Sequence, residues 1–316
     1  MNASRWCRIG LATVLGLMVA SSSFGAAAEN EKVIRMGHQR VGAYALLKVR
    51  GTLEARLKPL GYTVLWKEFS SGPLLLEGLK VGSVDFGHGG EAPPIFAQAA
   101  GAQFFYIGHE PPAPKGEAIL VPKDSPLKTV ADLKGKKIAL NKGSNVHYLL
   151  VCALEKAGLK YADVDVVYLP PADGRAAFDK GAVDAWVIWE PYRTAAELSS
   201  GARTLADGSG LVSNHEFFFV TRAFAEAHQQ VIDVVLSAAR DAYVEAAKDL
   251  PGTAKMFSAA AGFPVPVMEV ALSRRGFGVQ PMSADVIAEQ QKIADAFQAL
   301  GLIPSPIKVS DAVRKP

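Results

Sequence analysis

Cysteine is almost missing from this chain of 316 residues, which carries two. Cys7 sits in a leading segment expected to be removed. Cys152 then stands alone in an apolar helical run, so no internal disulfide is expected. Metal-ligand spacing is missing as well. None of His38, His88, His109, His147, His215 and His228 stands in the i, i+4 or Cys-paired spacing of a zinc site, so no metal and no cofactor is expected. Neither G-x-S-x-G nor G-x-x-x-x-G-K-[ST] occurs. Ser144 and His147 lie close together on one expected helix, but with no strained elbow and no placed acid they do not make a nucleophile. Charge of one sign is scarce too. The formal net charge is +3, and loss of Arg5 and Arg8 with the leading segment brings it to +1. That is no nucleic-acid footprint. No apolar run is long enough to cross a membrane, and no low-complexity stretch breaks the chain.

What is present begins with a secretory signal peptide over residues 1–28. Arg5 and Arg8 give its charged start, Ile9 to Ala20 its apolar core, and Ala26-Ala27-Ala28 its cleavage site before Glu29. Cys7 precedes the apolar core, whereas a lipoprotein cysteine would follow it. The mature chain is therefore expected to be exported, soluble and periplasmic.

The mature chain alternates strand-like and helical stretches. Val33–Met36, Thr63–Phe69, Val84–Gly87 and Phe104–Gly108 read as strands. Helices are expected over 43–58, at 70–80, where Pro73 helps to open the turn, and from Pro93 on. A similar series follows: strands at 117–121, 137–140, 164–169 and 184–188, with helices at 145–157 and 173–180. Phe217–Val220 reads as a buried strand leading back, and the chain from Ala223 on is mostly helical. This is an α/β pattern with mainly parallel sheets. It divides into a first lobe of residues 29–118 with 222–316 and a second of 119–221, joined by short crossings near 119 and 220.

An internal repeat supports two lobes. Gly82-Ser-Val-Asp85 is answered by Gly181-Ala-Val-Asp184, and in each copy a glutamate follows the aspartate by six residues, at Glu91 and Glu190. In the first copy Gly89, Gly90 and Glu91 are read as a glycine-lined turn before a helix opened by Pro93-Pro94. Backbone N–H groups converging there would hold a small anion. In the second lobe Asn141-Lys-Gly-Ser144-Asn145 is the matching loop. Ser144 is read either as a helix cap or as a ligand donor. Arg175 is read as pairing with Asp179 along a helix face. Trp186 and Trp189 point to opposite sides of a strand, and Trp189 is taken as the apolar wall.

At these residues the chain resembles the periplasmic aliphatic sulfonate-binding proteins of ABC importers, within the wider group that binds taurine, nitrate and thiamine-precursor ligands. The landmarks are GHQR (37–40), EAPPIFAQAAGA (91–102), SPLKTVADLKGKKIA (125–139), NKGSNVHYLL (141–150), PADGRAAF (171–178) and VDAWVIWEPY (183–192). The resemblance implies the type II solute-binding fold, two lobes with two hinge crossings and a helical C-terminal tail. It implies a monomer that passes a small organic sulfonate to an inner-membrane permease for sulfur acquisition. Ligand contacts would map to Gln39, the Gly89-Gly90-Glu91 turn, Ser144-Asn145 and Trp189-Glu190. This chain has His88-Gly89-Gly90-Glu91 where alkanesulfonate binders often have Ser-Thr-Gly-Asp, and Ser144-Asn145-Val146 where they have a serine run. His88 thus joins the candidate contacts in place of a hydroxyl. Taurine, nitrate or a pyrimidine are the alternative ligands, and a pyrimidine-synthase-like enzyme the alternative class.

Overall fold

The computed structural model describes residues 32–314. The expected signal peptide, with Cys7, lies outside the described residues. The first sheet is fed by β1 (Lys32–His38), α1 (Ala43–Arg50), α2 (Thr52–Leu57), β2 (Tyr62–Glu68), α3 (Gly72–Lys80), β3 (Phe86–Gly90), α4 (Pro93–Ala99) and β4 (Phe104–His109). The second is fed by β5 (Glu117–Val121), β6 (Lys137–Leu140), α5 (Asn145–Lys156), β7 (Asp165–Tyr168), α6 (Pro171–Asp179), β8 (Ala185–Trp189), α7 (Tyr192–Ser200) and β9 (Arg203–Asp207). The chain returns through β10 (Glu216–Thr221) and ends in α8 (Arg222–Ala227), α9 (Gln229–Lys248), α10 (Leu250–Ala261), α11 (Val265–Ser273) and α12 (Ala284–Ala299).

The two sheets share one plan. Their strand orders are β2-β1-β3-β10-β4 and β7-β6-β8-β5-β9. In each, the first three strands are parallel, as crossover helices require. The fourth runs antiparallel to both neighbours. The chain passes between the sheets over residues 110–116 and returns over 208–215.

The sequence repeat has a structural cause. Asp85 Oδ2 accepts from the Arg35 backbone N–H of β1 at 2.8 Å, and Asp184 Oδ2 accepts from the Lys137 N–H of β6 at 2.8 Å. The backbone N–H groups of both aspartates donate to the carbonyls of those same residues. Each aspartate thus ties the entry of its strand to the neighbouring strand, and the glycine before it makes the turn with positive φ, at Gly82 and Gly181.

Both faces of each sheet are covered, so the strands read as apolar runs rather than alternating ones. One face of the first sheet packs Met36, Phe86 and Phe218 with α1 and α9, and the other packs Phe104 and Phe219 with α3 and Phe297 of α12. In the second sheet Ile138, Leu140 and Val187 meet α5, while Trp186 and Ile188 meet Phe178 of α6.

Some expectations shift. The helix expected over 43–58 is broken at Gly51, whose φ of 64° closes α1 and begins α2. The glycines read as a turn lie inside β3, and none of Gly87, Gly89 and Gly90 has a positive φ. Their reason is close approach. A Cβ at Gly87 would meet Leu75 Cδ2 at 2.5 Å, and one at Gly90 would overlap the Asn145 amide. Strand β9 had no counterpart in the expected elements; all its residues are only half-buried, so its apolar signal is diluted.

Candidate functional site

The N-termini of two helices, α3 and α5, reach the same space between the sheets. Ser70 and Gly72 stand at the start of α3, and Ser144 and Asn145 at the start of α5; all four line one cavity of about 70 Å³. At about 10–15 Å³ per water-sized group, this has room for a small anionic head and a short tail. Helix N-termini present unpaired N–H groups and positive potential, which suits an anion. Trp189, Pro191 and Tyr192 give the cavity an aromatic side. The rings of Trp189 and Tyr192 meet edge to face at 6.3 Å, and Tyr192 rests in turn on Phe263 in the link between α10 and α11.

Asn145 ties the lobes together across this space. Its Oδ1 accepts from the Ala92 N–H at 3.3 Å, and its Nδ2 donates to Asn214 Oδ1 at 2.5 Å. Asn214 sits in the return crossing with φ of 50° and donates to the Ala113 carbonyl in the outgoing one. One asparagine pair thus joins α5, the start of α4 and both crossings.

The expected site residues divide. Gln39, Gly90, Ser144, Asn145, Trp189 and Glu190 line the cavity. Gly89 lies one layer back, where an added Cβ would stand 3.4 Å from Gln39 Nε2. His88 is buried beneath, against Tyr44 and Phe218, with Nε2 at 2.5 Å from Glu110 Oε1. Glu91 faces elsewhere. Its Oε2 accepts from the His215 N–H at 2.9 Å rather than from the start of α4, which has no side-chain cap. It borders a second cavity of about 320 Å³ with Tyr148, His215, Glu289 and Gln290. Burial pushes the Glu91 carboxyl up to about 8, and its Oε1 has no hydrogen-bond partner among the described residues.

Ser144 does not cap α5 with its side chain; its hydroxyl donates to the Asn141 carbonyl at 2.6 Å. Arg175 meets Asp179 at 2.6 Å on an exposed face, away from the cavity. Trp186 is in the core at 1% exposure, packed beside Gly174.

Sequence reasoning missed the charged floor, which comes from the crossings and the tail. Arg275, just after α11, donates from Nη2 to Glu110 Oε2 at 3.1 Å. Glu110 also accepts from Tyr243 of α9 and pairs with His88. Burial alone would raise the Glu110 carboxyl, but His88, Arg275 and Tyr243 hold it below its ordinary value. The neighbouring Arg274 donates from Nη1 to Glu190 Oε1 at 2.6 Å and to Glu197 Oε2 at 2.9 Å. Burial still keeps the Glu190 carboxyl above its ordinary value against Arg274 and Thr194. A charged residue opening an otherwise apolar strand, as Glu216 does before Phe217-Phe218-Phe219, was the one available signal.

Comparison with known proteins adds an independent line. The NMT1-like family model matches residues 27–258. A putative aliphatic sulfonates-binding protein of Escherichia coli (strain K12) is 42% identical over 302 residues, covering 95% of this chain and 94% of that one. Its counterpart in Bacillus subtilis (strain 168) is 33% identical over 309 residues, covering 96% and 93%. Among solved structures, the alkanesulfonate-binding protein SsuA from Xanthomonas axonopodis pv. citri, bound to MOPS, superposes with a TM-score of 0.85 at 44% identity. That match covers 90% of this chain and 98% of the other.

Proposed function

Since this chain belongs to the NMT1-like family, we propose that it captures an organic sulfonate between its two sheets and delivers it to an ABC importer. The observation that carries the reading is the meeting of two helix N-termini, α3 and α5, beside an aromatic wall in one cavity. A sulfonate is a compact monoanion with three acceptor oxygens, and convergent N–H groups suit it. The apolar tail would lie on Trp189 and Tyr192. Ligand contacts are proposed at Gln39, Gly90, Ser144, Asn145 and Trp189, with His88 and Gly89 supporting them from behind. Glu190 borders the site as the partner of Arg274 rather than as a donor to the anion.

The expected lobe division is refined in the same proposal. Strand β5 is hydrogen-bonded in the second sheet and β10 in the first. Hinges within 110–116 and 208–215 therefore fit better than crossings near 119 and 220. Export to the periplasm, action as a monomer and docking on an inner-membrane permease belong to this reading, and the similar binding proteins support it.

Calorimetric titration across methane-, propane-, hexane- and octanesulfonate, with an aryl sulfonate, sulfate and nitrate, tests it. Each methylene buried against the aromatic wall is worth up to about 0.8 kcal/mol. Affinity should rise over the first carbons and level off once the tail outgrows the cavity. Glu110, Glu190 and Glu216 along the lining place negative charge near the site, so the dianion sulfate should bind poorly. Flat affinity along the series, or sulfate binding as tightly as the best sulfonate, would overturn the reading.

A further inference from the structure

Three glutamates line the cavity, and two of them are satisfied by the protein. Glu110 is held by His88, Arg275 and Tyr243. Glu190 is held by Arg274 and Thr194. Glu216 is different. Its carboxylate makes no hydrogen bond among the described residues, and its one ion-pair partner is His88 Nδ1 at 3.8 Å. The other nitrogen of that ring is already engaged at 2.5 Å by Glu110. Arg275 lies within electrostatic reach of Glu216 but gives its hydrogen bond to Glu110.

Position makes the group useful. Glu216 opens β10 directly opposite Gly90 of β3, whose missing side chain lets the Asn145 amide at the start of α5 pack close to this strand. Its side chain keeps 23% exposure, and that exposure is to the cavity it lines. A carboxylate so placed, poorly solvated and without a donor, is costly unless something cationic reaches it. The start of β10 therefore offers an acceptor in the same cavity where α3 and α5 offer donors.

We infer that Glu216 receives a protonated amine of the ligand, so that the site selects zwitterionic aminosulfonates over plain alkanesulfonates of the same length. The inference rests on the sulfonate reading above. The sulfonate lies at the helix N-termini, a short carbon chain lies on Trp189, and the ammonium donates to Glu216. A protonated Glu216 donating to the sulfonate itself is the competing arrangement, and it gives no preference for an amine.

The test is a matched pair, 3-aminopropanesulfonate and butanesulfonate, in which an ammonium replaces a methyl group of nearly equal size. Both are titrated calorimetrically into the wild-type protein and the Glu216→Gln variant, with thermal unfolding recorded to confirm the fold. The wild type should bind the amine at least about tenfold more tightly, or ~1.4 kcal/mol. In Glu216→Gln the ratio of the two affinities should fall towards one. Equal or tighter binding of butanesulfonate by the wild type overturns the inference and leaves the sulfonate reading standing. So does a folded Glu216→Gln that keeps the amine preference. If the wild type binds neither compound, the sulfonate reading itself fails, and the inference with it.

Discussion

Glu91 and Glu190 occupy the same place in the two halves of the repeat, six residues after an aspartate that pins a strand. Both reach a crossing between the lobes: Glu91 takes the His215 N–H through its carboxylate, and Glu190 gives its own N–H to the Gly116 carbonyl. Their side chains meet different surroundings. Glu190 is given Arg274 by the helical tail, just after α11, and borders the cavity between the sheets. Among the described residues Glu91 is given no cation and its Oε1 no hydrogen-bond partner, and it faces the second cavity. The repeat sets the backbone; the C-terminal tail, which is not repeated, decides the chemistry.

The largest expected effect comes from removing the difference on the Glu190 side. Arg274→Ala leaves Glu190 nearly buried without its cation and should cost about 3 kcal/mol of stability, read from the urea midpoint. Glu197 retains Arg193. Adding Glu190→Gln should recover part of the loss, because the amide still accepts from Thr194. If the double variant is no more stable than Arg274→Ala, the ion pair is not what holds this corner.

The Glu91 side should show the opposite sign. Its carboxyl sits at about 8 in the folded chain, from an ordinary value of 4.5. The native state then keeps a proton that the unfolded state releases between those values. This group's contribution to stability is therefore lost as pH rises through the window, and no cost is present below it. Glu91→Gln, which still accepts from the His215 N–H, should be more stable than wild type by on the order of 2 kcal/mol near pH 9. Near pH 5 the two should be alike. Melting temperatures falling in parallel with pH for both proteins would contradict this.

Ser144→Ala is the smallest expected change. The Ser144 hydroxyl gives its hydrogen to the Asn141 carbonyl, so the backbone N–H groups at the start of α5 are left to hold the anion. Sulfonate affinity should weaken by no more than about 1 kcal/mol by titration. A loss of about 3 kcal/mol, as for a donor to a buried charge, would return the hydroxyl to the anion.

Much of the fold was legible in the sequence because both sheets are covered on both faces. Strands such as Phe217–Val220 and Ala185–Ile188 then appear as unbroken apolar runs, each opened by an acidic residue, Glu216 or Asp184. The paired Gly-x-Val-Asp motifs announced two equivalent halves, and the aspartates turn out to set register. The aromatic wall and the α5 start were legible from Trp189 and from Ser144-Asn145. The charged floor was not. Arg274 and Arg275 follow a short apolar helix, and their partners lie 84 and 165 residues away in sequence. Glu91 was misplaced because a glutamate between two glycines and a proline-opened helix reads as part of a ligand-holding turn, whereas its carboxylate accepts from the return crossing, at His215.

The most direct test of the account is a crystal structure with propanesulfonate bound. The account predicts sulfonate oxygens within about 3.2 Å of backbone N–H groups at the starts of both α3 and α5, with the propyl chain on the Trp189 ring. A sulfonate held by the Glu91 cavity, or by only one of the two lobes with the other turned away, would contradict it.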